Sequence, residues 1–263
     1  MRKLGIALSG GGTRGMVHVG ALQALAEHDI HPDVIAGTSA GSVVGALYAY
    51  GYEPHEIKGF AHHRNLIRIF AFKIPNKGFV RHSFLQKQLR RYLPQNDFHV
   101  LKKPFYVTVA NLNSGKPESW SEGPLIDLIV ASCSIPILFE PVEIGGQLYV
   151  DGGLLQNLPA ESIRPHCDVL VGINLVPRLE LSHDDMKSVI GIGSRCFDLA
   201  ALNNIKPQLQ FCDLVIEPDA IQDYSRFNFR QIDKMYEIGY EETLEHIDGI
   251  KELLAGVSET AQS

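Results

Sequence analysis

Short apolar runs that end directly in glycine clusters are the feature that most constrains the fold of this chain. Leu4–Leu8 leads into three consecutive glycines, and Val34–Ala36 leads into a second glycine-containing segment. Uninterrupted apolar runs of this length are typical of strands buried on both faces, as in a parallel sheet. Helical patterns follow over about 15–27 and 42–50. The alternation of strands and helices predicts an α/β sandwich with a mainly parallel central sheet.

The rest of the chain continues this alternation. Gly145-Gly146 separates two strand-like runs, which is the pattern of a two-residue hairpin. Apolar residues at helical spacing predict a long last helix over about 229–254. Further strands are predicted at 105–110, 142–144, 147–150, 169–174 and 214–216, and a helix at 124–131. The sequence contains no linker rich in Pro, Gly or Ser and no internal repeat, so we predict one domain over residues 1–263.

Composition narrows the class of protein. A chain of 263 residues can bury about three quarters of its unfolded surface, so it needs no disulfide or metal to fold. Its four cysteines lie far apart without C-x-x-C spacing, which predicts free thiols in a reducing compartment. No apolar run approaches the roughly 18 residues of a membrane span, and the pattern of a signal peptide is missing. We therefore expect a cytoplasmic protein without a metal or other cofactor.

Basic residues are concentrated between Ile57 and Asn96. This stretch has nine Lys and Arg residues and no Asp or Glu, whereas the whole chain has a net charge of −6. Such asymmetry predicts a basic face toward an anionic partner. Three alternatives stay open for residues 57–96: a lid, an insert that packs on the core, or a patch that makes peripheral contact with an anionic membrane. Nucleic acid is disfavoured, because no binding module is recognisable.

The first glycine cluster is Gly10-Gly11-Gly12-Thr13-Arg14-Gly15, between a predicted strand and a predicted helix. Successive glycines let backbone N–H groups converge on an anion at a helix N-terminus. The cluster also satisfies G-x-G-x-x-G, the dinucleotide fingerprint. The acidic residues near the required distance, Asp29 and Asp33, precede the second strand instead of following it, which disfavours a nucleotide site. A tight turn that only needs small residues is the remaining alternative.

The second cluster, Gly37-Thr38-Ser39-Ala40-Gly41, is a G-x-S-x-G motif between a strand and a helix. Gly37 and Gly41 leave room for a sharp turn that exposes the Ser39 hydroxyl. The helix N-terminus behind it favours negative charge at the serine oxygen. The structural alternative is that Ser39 is an ordinary helix N-cap. The three glycines upstream favour a nucleophile.

The third cluster is Asp151-Gly152-Gly153, directly after the second hairpin strand. Alone this signal is weak, because such triplets are common in surface turns. Together with a serine nucleophile, it supplies a carboxylate at the same edge of the sheet. A Ser-His-Asp arrangement would instead use a histidine that follows Asp151, namely His166, His183 or His246. None of these has a surrounding motif, so surface or packing roles are favoured.

In combination these clusters resemble the patatin-like phospholipases. The matching segments are Gly10–Gly15, Gly37–Gly41, Ala131–Pro136, and Asp151–Gly153 with Asn157 and Pro159 after it. They define a motif core over residues 6–164, and no motif is matched over 165–263. The resemblance implies a three-layer α/β/α fold and a lipid acyl hydrolase with a Ser–Asp dyad. It also implies that Ser39 is the nucleophile, Asp151 the general base and the 10–15 loop the oxyanion hole.

This interpretation makes the expected chemistry specific. Asp151, in a partly desolvated site, accepts the Ser39 proton as the serine attacks an acyl ester of a phospholipid or lysophospholipid, and water then releases the fatty acid. The oxyanion hole is assigned to Gly10, Gly11, Gly12, Arg14 and the amide of Ala40, and the nucleophile elbow to Gly37 and Gly41. The alternatives are an acyltransferase that uses the same acyl-enzyme and a non-catalytic lipid-binding regulatory protein.

Overall fold

The computed structural model describes residues 2–61, 83–176, 188–224 and 229–256. The strands in these ranges are β1 (Leu4–Leu8), β2 (Val34–Thr38), β3 (Phe105–Asn111), β4 (Lys116–Trp120), β5 (Val142–Ile144), β6 (Gln147–Asp151), β7 (Val169–Ile173) and β8 (Leu214–Ile216). The α-helices in them are α1 (Met16–Glu27), α2 (Ala40–Tyr50), α3 (Pro54–Ala61), α4 (Ser83–Tyr92), α5 (Leu125–Ser132), α6 (Ala160–Ile163), α7 (Val189–Leu209) and α8 (Ile232–Ala255).

The strands form one sheet with a parallel centre. β3, β2, β1, β7 and β8 lie side by side in that order and run parallel. β4 and β6 pair antiparallel with β3, and β5 pairs antiparallel with β6. Every residue of β1, β2 and β7 is buried, as expected for strands covered on both faces. The predicted mainly parallel sheet is confirmed.

Helices cover both faces of this sheet. Neighbouring side chains on a strand point to opposite faces. Ile6 of β1 belongs to a core that includes Leu22 of α1. Its neighbour Ala7 belongs to a second core, which includes Ile163 of α6 and Ile205 of α7. The arrangement is the predicted three-layer α/β/α sandwich, whereas the extent of a single domain over 1–263 stays a prediction.

Two strands share one edge of β3, and this arrangement positions the site. β4 occupies one edge of β3 along residues 107–111. On the opposite edge, β2 pairs with β3 up to Thr108, and β6 pairs with it from Val109 onward. β2 and β6 run in opposite directions, so their carboxyl ends meet head-on along β3. Thr38 pairs with Thr108, and Asp151 pairs with the next residue, Val109. The residue after Thr38 and the last residue of β6 are therefore brought to the same place.

β4 and α7 are among the elements of the structure that were not predicted. β4 has no buried residue, and its sequence contains a lysine and a proline in place of the apolar run of the central strands. α7 contains Gly191, Gly193 and Pro207, which argue against a helix, and it exposes 79% of Val189 and 51% of Ile192. No helix in the described part of the chain has both the length and the apolar character needed to cross a membrane.

The basic segment 57–96 is described only toward its two ends, by α3 and α4, and residues 62–82 lie outside the described residues. Lys58 of α3 contacts α8. Its Nζ lies 2.9 Å from Asp233 Oδ1 and 4.2 Å from the centre of the Tyr236 ring. This cation is therefore paired with an acidic residue of the same molecule.

Candidate active site

The turn between β2 and α2 holds Ser39 in a strained conformation. Ser39 has φ +52° and ψ −120°, a backbone region that residues with a Cβ rarely adopt. The flanking glycines are sterically required: a Cβ on Gly37 would lie 2.3 Å from the Gly41 carbonyl oxygen, and one on Gly41 would lie 2.2 Å from the Leu8 carbonyl oxygen. Strain of this kind clusters at functional sites, and a serine on such a turn has the geometry of a nucleophile elbow.

The Ser39 side chain does not act as an ordinary helix cap. It precedes α2 but makes no capping hydrogen bond to that helix. Helix N-cap serines normally accept a hydrogen bond from an amide in the first turn. The structure thus disfavours the N-cap alternative for Ser39.

Asp151 ends β6 in a buried position. The residue is 1% exposed, its Oδ1 accepts a hydrogen bond from the Gly153 amide at 2.8 Å, and its own amide donates to the Ser134 carbonyl at 2.9 Å. A Cβ on Gly152 would lie 2.4 Å from the Thr108 carbonyl oxygen, so β6 can close on β3 only with glycine there. The carboxylate is therefore largely removed from water at the place where β2 ends.

Ser39 and Asp151 line one recess at the carboxyl edge of the parallel strands. The other lining residues are Gly10, Gly11, Gly12, Arg14, Ile135, Asn157, Val176, Phe197, Asp198 and Ala201. The cavity measures about 20 Å³, enough for about one water molecule. The structure thus brings together, in one small recess, residues of the three clusters that the sequence singled out.

Gly10, Gly11 and Gly12 of the glycine loop line this recess. Within the described residues, no acceptor is found for the N–H groups of Gly11, Gly12 and Ala40. The Gly10 amide, in contrast, donates to the Asn157 carbonyl at 3.2 Å. Gly12 has φ +62°, which favours glycine. Of the residues predicted for the oxyanion hole, Gly11 and Gly12 line the recess and have no acceptor for their N–H groups within the described residues, whereas Ala40 is not among the lining residues.

Arg14 is buried beside the glycine loop. It is 5% exposed, its Nε donates to the Tyr224 carbonyl at 2.7 Å, and its amide donates to the Gly11 carbonyl at 3.3 Å. A guanidinium stays protonated at the pH values at which proteins fold, so Arg14 cannot act as a base. Arg14 connects the glycine loop to Tyr224 through the hydrogen bond from its Nε, and its positive charge lies beside the recess.

Among the described histidines that follow Asp151, none lines the recess. The His166 ring stacks on Tyr106 and lies with Lys3 at the opposite edge of the sheet. His246 lies on α8, 3.6 Å from Glu242, and His183 is outside the described residues. In the same described ranges, no three His, Cys, Asp or Glu side chains come together as a possible metal site.

Two residues at the end of α5 contact the serine turn, although the sequence assigned them no role. The Ser39 amide donates to Ser132 Oγ at 2.8 Å. The Cys133 thiol lies close to Ser42 and Ser39. Burial, and secondarily the nearby charge of Asp151, raises the pKa of the Cys133 thiol, so it stays protonated beside the serine. The only sequence signal for these residues was their place in the matched segment 131–136.

The loop after Asp151 is tied to the helix that the sequence did not predict. Asn204 of α7 donates from Nδ2 to the Gly153 carbonyl at 3.0 Å and accepts from the Asn157 amide at 2.7 Å. Asn157 Nδ2 in turn donates to the Gly10 carbonyl at 3.4 Å. This chain of contacts connects α7, the Asp151 loop and the glycine loop.

A comparison with known protein families gives a match over the first part of the chain. The family model described as Patatin-like phospholipase matches residues 6–163, which is more than half of the chain. The chain belongs to the patatin-like phospholipase family. The match ends close to the predicted limit of the motif core, and it includes Ser39, Asp151 and the glycine loop of this patatin-like chain.

Individual relatives extend the likeness beyond the motif core. An uncharacterized NTE family protein of Mycobacterium tuberculosis is 29% identical over 266 residues, which cover 90% of this chain and 45% of that protein. Lysophospholipase nte1 of Aspergillus fumigatus is 25% identical over 272 residues, covering 91% of this chain and 18% of that protein. The patatin-like chain thus spans less than half the length of these relatives. VipD from Legionella pneumophila has the same fold, with a TM-score of 0.62 and 14% identity over 94% of this chain and 67% of that chain.

Proposed function

We propose that this chain is a serine acyl hydrolase that cleaves fatty-acyl esters of phospholipids or lysophospholipids through Ser39 and Asp151. The observation that carries the proposal is the head-on approach of β2 and β6 along β3, with a strained serine and a buried carboxylate lining one recess. Membership of the patatin-like phospholipase family supports a lipid ester as substrate. A relative named as a lysophospholipase supports a monoacyl phospholipid.

In the first half of the reaction, the Ser39 Oγ attacks the ester carbonyl carbon while Asp151 accepts the hydroxyl proton. The carbonyl π electrons move onto oxygen, and the N–H groups of Gly11, Gly12 and Ala40 stabilise this oxyanion. Each such donor contributes about 3 kcal/mol in the transition state. Protonated Asp151 then donates to the leaving alkoxide as the C–O bond breaks. An acyl-serine and a free alcohol result.

In the second half, water replaces the alcohol. Asp151 accepts a proton from water, the resulting nucleophile attacks the acyl carbon, and the bond to Ser39 Oγ breaks as the serine regains its proton. The products are a fatty acid and the free enzyme. A buried carboxylate suits this exchange of protons, because removal from water disfavours the charged form of an acid.

The test is an assay of the purified wild type and Ser39→Ala on diacyl phospholipids, lysophospholipids and simple fatty-acyl esters, with free fatty acid measured by mass spectrometry. We expect the wild type to release fatty acid and Ser39→Ala to lose activity by at least about 10³-fold. Ser121→Ala, the same change at an exposed turn residue, is the matched control and should retain wild-type activity.

The same assay separates the alternatives. Transfer of the acyl group to an added alcohol, in preference to release as free acid, would identify an acyltransferase with the same acyl-enzyme. Absence of turnover on every ester, or full activity of Ser39→Ala, would contradict the proposed hydrolase.

A further inference from the structure

We propose that Ser132 is a positioning residue for the nucleophile, and that its hydroxyl fixes the backbone of the Ser39 turn against the strand on which β2 and β6 meet. The proposal deepens the proposed function and rests on it for the kinetic part of its test. Ser132 lies outside the residues assigned to the dyad, the oxyanion hole and the elbow.

A two-step hydrogen-bond relay connects the turn to β3. The Ser39 amide donates to Ser132 Oγ at 2.8 Å, and Ser132 Oγ donates to the Thr108 carbonyl at 2.7 Å. A hydroxyl has a single hydrogen, and the Thr108 carbonyl can only accept it. The direction of both bonds is therefore fixed, and the Ser132 oxygen faces the Ser39 amide with a lone pair.

The far end of the relay is the point where the two strands meet. Thr108 is the last residue of β3 that pairs with β2, and the next residue, Val109, pairs with Asp151. The Asp151 amide donates to the Ser134 carbonyl at 2.9 Å, two residues after Ser132. The segment 132–134 thus contacts both proposed catalytic residues. The Ser132 side chain bonds to the Ser39 amide, and the Ser134 carbonyl bonds to the Asp151 amide.

The relay acts on a residue whose backbone conformation needs support. A non-glycine residue at φ +52° keeps that conformation only when its surroundings over-determine it. α2 begins at Ala40, so the Ser39 amide precedes the helix and makes its bond to Ser132 instead. Without the Ser132 hydroxyl this buried amide loses its acceptor, and the turn can relax. A displacement of about 1 Å at a reacting atom can reduce the rate about 10²-fold.

The burial of Ser132 distinguishes positioning from catalysis. Ser132 is fully buried, and its oxygen is engaged with both Ser39 and Thr108. It is also not among the residues that line the recess. Its effect on the reaction can therefore reach the substrate only through the residues that it holds in place, of which Ser39 is the nucleophile.

The kinetic test compares the ester hydrolysis rates of Ser132→Ala and Ser132→Thr with that of the wild type. Each rate is divided by the concentration of active sites, measured as the amount of protein that a fluorophosphonate labels at completion. We expect Ser132→Ala to lower kcat by about 10- to 100-fold with KM within about threefold, and Ser132→Thr, which keeps a hydroxyl, to recover most of kcat. Ser162→Ala is the matched control, because it removes a hydroxyl that donates at 2.7 Å to Pro159 in another part of the fold. It should behave as the wild type.

A second measurement does not depend on turnover. Amide hydrogen exchange at Ser39, resolved by NMR, should accelerate at least about tenfold in Ser132→Ala and stay unchanged in Ser162→Ala. Unchanged kcat per reactive site, or unchanged exchange at Ser39, would overturn the proposal. If the wild type hydrolysed no ester, the proposed function would fail, and the exchange rate would still decide whether Ser132 holds the turn.

Discussion

At the scale of single residues, a hydrogen bond from His18 holds the residue that precedes the glycine loop. Its ring is fully buried in α1, and Nε2 lies 2.8 Å from the Ser9 carbonyl oxygen, one residue before Gly10. Because a carbonyl can only accept, Nε2 carries the proton of the neutral ring. Burial lowers the pKa of His18 to about 4, and the bond to Ser9 only partly offsets this.

We predict that His18 makes the stability of the fold depend on pH. Its pKa is 6.5 in the unfolded reference and about 4 in the folded protein, so the unfolded chain takes up the proton first. The free energy of unfolding is therefore highest above pH 6.5 and falls as the pH decreases toward 4. Linkage gives a loss of about 2 kcal/mol between pH 7 and pH 5.

Urea unfolding at pH 7 and pH 5 measures this contribution. His18→Gln is the comparison, because glutamine keeps an N–H donor for the Ser9 carbonyl but does not titrate in this range. We expect the variant to lose about 2 kcal/mol less than the wild type over this interval. The same pH dependence in both proteins would rule out His18 as the source.

Ser39 could be found from the sequence because neighbouring residues mark it, whereas Ser132 was missed because its proposed role depends on residues that are distant in the chain. A sharp turn accepts few residue types, so G-x-S-x-G marks Ser39 within five consecutive positions. Ser132 is an ordinary residue at a helix end by local pattern. Its contacts are to Thr108 and Ser39, 24 and 93 positions away, and only the fold brings these residues together.

At the scale of elements, α1 and α8 pack with their backbones in contact. A Cβ on Gly20 would lie 2.0 Å from the Tyr236 carbonyl oxygen, and one on Gly239 would lie 2.1 Å from the Val17 carbonyl oxygen. Real Cβ atoms do not approach backbone this closely, so an added methyl group must push the two helices apart. The glycines are therefore required by the helix crossing and not by backbone conformation.

We predict that Gly239→Ala lowers the free energy of unfolding by about 1–3 kcal/mol, because overpacking forces the helices to shift. Gly249→Ala is a control in the same helix, where the nearest atom, a Leu214 methyl, would be 3.7 Å from the new Cβ. It should raise stability by up to about 1 kcal/mol through helix propensity. Urea unfolding of both variants tests this pair, and equal effects of the two substitutions would contradict the close crossing.

Helices and strands were predicted correctly where the spacing of apolar residues along the sequence reports which side chains are buried. The central strands β1, β2 and β7 are apolar on both faces, so their runs were visible in the sequence. α7 was missed because its exposed side carries apolar residues and its interior contains glycines and a proline. Its position depends on Asn204 and its contacts with the loop after Asp151, which no local pattern reports.

At the scale of the whole molecule, the uneven charge distribution gives a prediction about membranes. Lys58 is paired with Asp233, whereas Lys87, Arg90 and Arg91 of α4 have exposed side chains. We expect the chain to bind vesicles with anionic lipid more strongly than neutral vesicles, since each cation near the surface contributes about 1 kcal/mol. High salt should weaken this binding, because it screens exposed charges.

Vesicle flotation at low and high salt measures this preference. Replacing Lys87 and Arg90 with alanine should reduce binding to anionic vesicles. Replacing Lys206 and Lys251 with alanine makes the same change in charge at exposed positions on other helices and should have little effect. If the bound fraction were the same for anionic and neutral vesicles and at low and high salt, a basic membrane-facing patch would be contradicted.

Whether Ser39 and Asp151 act together as nucleophile and base is measured by the rate at which a fluorophosphonate probe modifies the protein, followed by intact-protein mass spectrometry. We predict a single adduct on Ser39 in the wild type, none in Ser39→Ala, and labelling at least about 10²-fold slower in a folded Asp151→Asn variant. An adduct formed equally fast in Ser39→Ala, or an undiminished rate in Asp151→Asn, would show that these two residues do not work as nucleophile and base.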